Sequence, residues 1–267
     1  MWLCLTRAAL IAGTALPLAL AAAAVAADAP TEGWELVWRD EFDGDQIDAA
    51  KWTPCERGSS DWNNTMTSDP RCFEIGGGTL KLIGFANADT AKDPSPFLTG
   101  GVTSKDKFEF RHGKIEVRAR FKCARGAWPA LWMLGAKGRW PHNGEIDLME
   151  HLNFDDKVYQ TIHSYYANEI DKSHKNPPKG ATAPIARDDW NTYGAEWDSE
   201  KIVFTANGQP TMTYPRVPEK GPEQWPFDEP FYLIFSMQIG GDWVGESDPK
   251  DYPAHMEIDW VRVHRKP

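Results

Sequence analysis

The sequence is poor in the features that most function classes need. Its 4 cysteines, Cys4, Cys55, Cys72 and Cys123, form no C-x-x-C, so neither a dithiol redox centre nor a zinc-finger framework is written into it. There is no H-E-x-x-H either, which removes the helical zinc-protease signature. Positive charge is scarce: 29 Lys and Arg against 39 Asp and Glu give a formal net charge of −10. Such a balance argues against nucleic acid, or any polyanion gripped over a wide surface, as a partner. Past residue 27 there is almost no 3.6-residue periodicity, no internal repeat and no apolar run of membrane-spanning length.

What is present begins with a leader. Residues 1–27 read as a signal peptide: Arg7 supplies the positive start, Ala8 to Ala24 the apolar stretch, and Val25-Ala26-Ala27 a small-residue cleavage site before Asp28. Cys4 precedes the apolar stretch, so a lipid-anchored cleavage site is not supported. The expectation is an exported protein, periplasmic or extracellular, monomeric and with no membrane insertion after cleavage. Losing Arg7 takes the formal charge from −10 to −11, because every acid lies at or after Asp28. Three cysteines remain, an odd number, with Cys55–Cys72 as the expected disulfide.

The rest, 28–267, reads as one all-β domain. Stretches such as Thr79 to Phe85, Gly113 to Lys122, Tyr159 to Tyr166 (YQTIHSYY), Lys201 to Ala206 and Met256 to Val263 read as strands separated by turn signals, with Asn207-Gly208 the strongest. Short strands between turns predict a sandwich or barrel. The segments Cys55 to Cys72, Ala86 to Phe97 and Asn168 to Asp188 read as loops. The 13 tryptophans, one of them in the leader, favour a neutral polymer of sugar rings as partner.

The organising stretch is Trp140 to Asn153, WPHNGEIDLMEHLN. Glu145, Asp147 and Glu150 are threaded through apolar Ile146, Leu148 and Met149, which is not the pattern of a solvated charged face. On a strand Glu145 and Asp147 share a face, and Glu150 falls on the other. A bulge at Leu148–Met149 would absorb one residue and return Glu150 to the first face. The two glutamates would then lie about 13 Å apart at Cα, and side chains leaning together would bring their carboxyls to ~5–7 Å. That is the spacing range of glycoside cleavage. Asp147 beside Glu145 raises the cost of ionising both.

GEIDLME, with GAWPALWM and WP before it, resembles the active-site strand of glycoside hydrolase family 16 in its E-x-D-x-x-E form, and the resemblance runs from about Trp34 to Val263. It implies a β-jelly-roll sandwich of the concanavalin A-like type with an open cleft, and a retaining endo-β-glycosidase acting on a β-linked polysaccharide or glycan. Glu145 is then the nucleophile, Glu150 the acid/base and Asp147 the helper between them. No cofactor is needed for catalysis. Trp132, Trp140, His163, Asn63, Asn64, Gln238 and Trp243 are the implied substrate contacts, and Trp128 divides between cleft and core. A structural calcium, held by Asp259 with the backbone of Glu41 and Gly78, is the implied metal, its oxygen ligands suiting a hard cation.

Two departures bear on substrate. Gly101 stands where many glucan-cleaving members resemble T-S-G-R-I and carry an Arg, and Ser236 stands in place of a common Asn. DWNNT, FLTGG, YQTIHS and MQIGGDWVG are similar to the branch that cuts β-galactosidic bonds in mucin O-glycans. The expectation is therefore β-1,4-galactosidic cleavage, with space at Gly101 admitting an axial hydroxyl or a branch. An endo-β-1,3(4)-glucanase is the alternative, as are a non-catalytic carbohydrate-binding sandwich and transglycosylation. A metal centre at His142, Glu145, Asp147, Glu150 and His151 is disfavoured, since alternation sends His151 off the acidic face.

Overall fold

Two burial patterns along the strands decide the architecture. Strand Gly113–Lys122 buries Ile115, Val117, Ala119 and Phe121 and leaves Lys114, Glu116, Arg118 and Arg120 on its other side. Such a strand has core on one face and water on the other. Strand Phe231–Ile239 is buried along its whole length. Phe231, Leu233, Phe235 and Met237 enter the main core. Tyr232 and Ile234 point the other way, into a second cluster with Cys55, Met66, Ala130 and Trp132. This strand is therefore covered on both faces, by the opposing sheet and by a loop.

The computed structural model describes residues 33–267, and the leader read over 1–27 lies outside them. Two antiparallel sheets stack as a sandwich. One runs in the order Gln209–Pro215, Lys201–Ala206, Asn191–Trp197, Gly113–Lys122, Ala254–Arg265, Thr79–Ala86, Phe73–Gly76, with Glu35–Asp40 and Phe97–Thr99 paired off that path. The other runs Gly180–Pro184, Lys157–His163, Glu145–Glu150, Ala127–Gly135, Phe231–Ile239, Gly101–Thr103, Thr53–Pro54. The acidic strand thus sits in the interior of its sheet, where both neighbours hold its register. Among the described residues no helix is long and apolar enough to cross a membrane.

Two local readings change. The stretch YQTIHSYY does not continue as a strand. The pairing stops at His163, and the Ser164 hydroxyl accepts from the Ala167 N–H at 3.1 Å as the chain enters the helical turn Tyr166–Ile170. Inside the expected loop from Asn168 to Asp188, Gly180–Pro184 forms an edge strand on Lys157–His163. Only Ala183 of that strand is buried, so it carries no apolar alternation to be recognised by.

The expected Cys55–Cys72 disulfide is absent, and Cys55, Cys72 and Cys123 are free thiols. A Cβ on Gly100 would meet Cys72, whereas one on Gly101 would meet Cys55. Successive strand residues face opposite sides, so the two cysteines approach this segment from opposite faces. The segment itself separates them.

Candidate active site

Strand Glu145–Glu150 pairs with Ala127–Gly135 so that Glu145 faces Leu134, Asp147 faces Trp132, and Glu150 faces Ala130. The register shifts between Asp147 and Met149 on this side, and between Asp147 and Glu150 against Lys157–His163. The bulge expected at Leu148–Met149 is therefore present. One added residue restores the parity of Glu150, while Ile146, Leu148 and Met149 enter the main core. Without it, the Glu150 carboxylate would be driven into that core.

All three acids line a cavity of about 310 Å³. Its floor is built by alternation from two neighbouring strands, Trp128, Ala130, Trp132 and Leu134 on one, Ser236 and Gln238 on the other. Trp140 closes one end, and Ser60 and Trp62 descend from the N-terminal loop. Trp62 meets Trp132 edge-on, with ring centroids 4.9 Å apart.

Each glutamate has its own indole. Trp140 Nε1–H donates to Glu145 Oε2 at 2.6 Å, and Trp128 Nε1–H donates to Glu150 Oε1 at 3.0 Å. His163 Nε2 lies 3.3 Å from Asp147 Oδ2 and 4.0 Å from Glu145 Oε1, and its Nδ1 meets the Asn168 side chain. Asp147 Oδ2 makes no well-aligned hydrogen bond in spite of that proximity.

Burial dominates the electrostatics. It pushes the Glu145 carboxyl up to about 8, with the Asp147 charge as the second cause and the Trp140 N–H and His163 opposing. Asp147 is raised to about 7 by burial, with a hydrogen bond from Glu145 and the Lys179 charge opposing. Glu150 is raised well above the ordinary range by burial and then by Asp147. Glu145 has the shorter indole contact and the nearer histidine, whereas both Asp147 and Glu145 oppose the charge on Glu150. Glu150 is thus the harder of the two to ionise.

The other implied contacts divide. Trp132, Trp140 and Gln238 line the cavity. Trp132 is 6% exposed, with its N–H donated to Ser236 Oγ at 3.2 Å, so it offers little more than an edge. Trp140 is 49% exposed and presents a ring face. Trp243, 48% exposed, stands at the Glu150 end, packed edge-on against Trp128 and Tyr159. Neither asparagine lines this cavity. Asn63 folds back on Gly58, and Asn64 Oδ1 accepts from Gln238 Nε2 at 3.0 Å, holding that side chain while Thr65 donates to its Oε1. Their role is to fix the loop and Gln238. Ser60 and Trp62 are what the loop contributes, and the charge of Lys179 acts on Asp147 and Glu145; the Trp of DWNNT is the available signal for Trp62.

Gly101 corrects the substrate argument. A Cβ there would lie 2.9 Å from Met66 Sδ and 3.3 Å from Cys55 Cβ. The space is filled by the loop that covers this end of the sheet, so it admits neither an axial hydroxyl nor a branch.

Two residues of the implied calcium set make ion pairs. The Asp259 carboxylate is paired with the Arg118 guanidinium, and Glu41 is held by both Arg262 Nε and Nη2, at 2.9 and 3.0 Å. Asp259, the one implied carboxylate ligand, is thus charge-paired with Arg118. Of the histidines near the motif, His142 stacks on Tyr165 and His151 is buried against Phe121, with its Nε2 at the Asp155 carbonyl.

A family model described as "Glycosyl hydrolases family 16" matches residues 63–262. The chain is 39% identical to a keratan-sulfate endo-1,4-beta-galactosidase of Sphingobacterium multivorum, over 89% of this chain and 56% of that one, so it spans little more than half of that relative's length. The solved laminarinase of Rhodothermus marinus is 33% identical, with a TM-score of 0.78 over 87% of this chain and 97% of that one. A third likeness, 31% identical with a TM-score of 0.75 over 86% and 98%, is to a structure described with endo-acting O-glycanases that human gut microbiota express to initiate mucin breakdown.

Proposed function

Because the chain belongs to glycosyl hydrolase family 16, we propose that it is an exported endo-β-glycosidase that cuts internal β-1,4-galactosidic bonds in N-acetyllactosamine-type chains, such as those of mucin O-glycans. The observation that carries the chemistry is the bulge, which sets Glu145, Asp147 and Glu150 on one face of one strand inside an aromatic cavity. Catalysis in this family needs no cofactor.

The steps follow from which acid keeps its proton. Glu150, the harder to ionise, is protonated near neutrality and serves as the acid. Glu145 is the carboxylate that the Trp140 N–H and the nearby His163 favour in its charged form. Its oxygen forms a bond to the anomeric carbon while the glycosidic C–O bond breaks. The departing oxygen keeps the electron pair and takes the Glu150 proton. Water then attacks the same carbon, returns a proton to Glu150 and releases Glu145. Two inversions leave the starting configuration. Asp147 accepts a hydrogen bond from Glu145 when that group is protonated and so holds the proton that the nucleophile must lose.

The galactosidic reading is supported by the identity with the keratan-sulfate galactosidase and by the likeness to the O-glycanase structure. Gly101 supports it only through the missing guanidinium, since the space itself is filled. Similarity to the laminarinase favours the second reading, an endo-β-1,3(4)-glucanase. Initial rates on poly-N-acetyllactosamine and on laminarin separate them. A higher kcat/KM on the galactoside is expected; a tenfold or greater preference for laminarin overturns the galactosidic reading and leaves the hydrolase reading standing.

A further inference from the structure

A second cavity, about 510 Å³, lies on the sheet that contributes nothing to the cleft. It shares no residue with the first. Arg111, Lys201, Arg265 and Lys266 surround it, against Glu196 and Asp198. In a chain of net charge −10 this local excess of cations runs against the whole.

Nor are these cations consumed by the protein. Among the described residues Lys201 and Arg265 have no ion pair, and Arg111 reaches only the Asp228 carbonyl, at 3.4 Å. Lys266 sits 5.0 Å over the Trp34 ring. Asp198 is already engaged, its Oδ1 accepting the N–H groups of Glu200 and Lys201.

Beneath the cavity, on the core side, two buried nitrogens lack a partner. Trp197 is 3% exposed and its indole N–H has no partner. His112 Nε2 is likewise buried without a hydrogen bond, 3.7 Å from Asp228 Oδ1. Unpaired cations and an aromatic ring around one concavity together describe a binding site for a small polar ligand.

We propose that this cavity is a second glycan site, one that takes a sugar bearing an anionic group, either a sulfate ester or a carboxylate. Arg111, Lys201 and Arg265 meet the anion, Glu196 accepts hydroxyls, and the Trp34 face opposite Lys266 packs against the ring. The inference stands apart from which bond the cleft cuts.

The test is titration of the ¹⁵N-labelled protein with galactose 6-sulfate, glucuronate, galactose and inorganic sulfate, following the indole N–H resonances. Saturable shifts of the Trp34 signal with either anionic sugar, weakened at least fivefold by 0.5 M NaCl, are expected. Lys201→Ala/Arg265→Ala should weaken binding at least tenfold while its activity on a neutral oligosaccharide stays within twofold of the parent. Galactose binding as tightly as its sulfate, inorganic sulfate matching the sulfated sugar, or a double variant that binds like the parent would each overturn the proposal.

Discussion

Three carboxylates in a cleft this apolar cannot all be charged near neutrality, and that constraint sets what single substitutions should do. Asp147→Asn removes the charge that helps raise both glutamates. The acid limb of kcat/KM should therefore move to lower pH, and kcat should fall by on the order of 10²-fold with KM little changed. An unmoved pH profile with a raised KM would make Asp147 a binding residue. Gly101→Arg has a different outcome from the one the sequence suggests. Its first side-chain atom meets Met66 Sδ at 2.9 Å, and overpacking of this kind costs about 1–3 kcal/mol or more. Thermal denaturation should show that loss, with no gain of activity on laminarin. A variant as stable as the parent would show that the covering loop yields.

The elements explain why so much of the centre was readable and some of its surroundings were not. Glu145, Asp147 and Glu150, the bulge between them and the exit of His151 all follow from strand parity, a rule that acts within six residues. Asn63, Asn64 and Cys72 depend on how a loop folds over a sheet from far along the chain, and no local period encodes that. The Gly180–Pro184 edge strand is invisible for a similar reason: partner pairing, and not its own apolar pattern, makes it a strand. The loop that covers Gly101 anchors through Met66, fully buried in the second cluster. Met66→Ala should cost about 2–5 kcal/mol by urea denaturation while the ratio of galactoside to glucan activity stays put. A large change in that ratio would give the loop a direct part in substrate choice.

Over the whole molecule the acidic cleft is a local sacrifice of stability, and its pH dependence has a definite sign. Glu145 is raised above its unfolded value, so its contribution is complete below ~4.3 and is lost as pH climbs through about 8. Glu145→Gln should accordingly melt higher than the parent at pH 8, by on the order of 2–4 °C, and nearly level with it at pH 4. Equal melting temperatures at both would mean that the carboxyl is not held up by its burial. The same residue carries the central claim, that Glu145 attacks the sugar and Glu150 supplies the proton. Azide added to Glu145→Ala, with an activated β-glycoside as substrate, tests this most directly. The account predicts a glycosyl azide of α configuration from that variant and of β configuration from Glu150→Ala; an α-azide from Glu150→Ala, with none from Glu145→Ala, would contradict it.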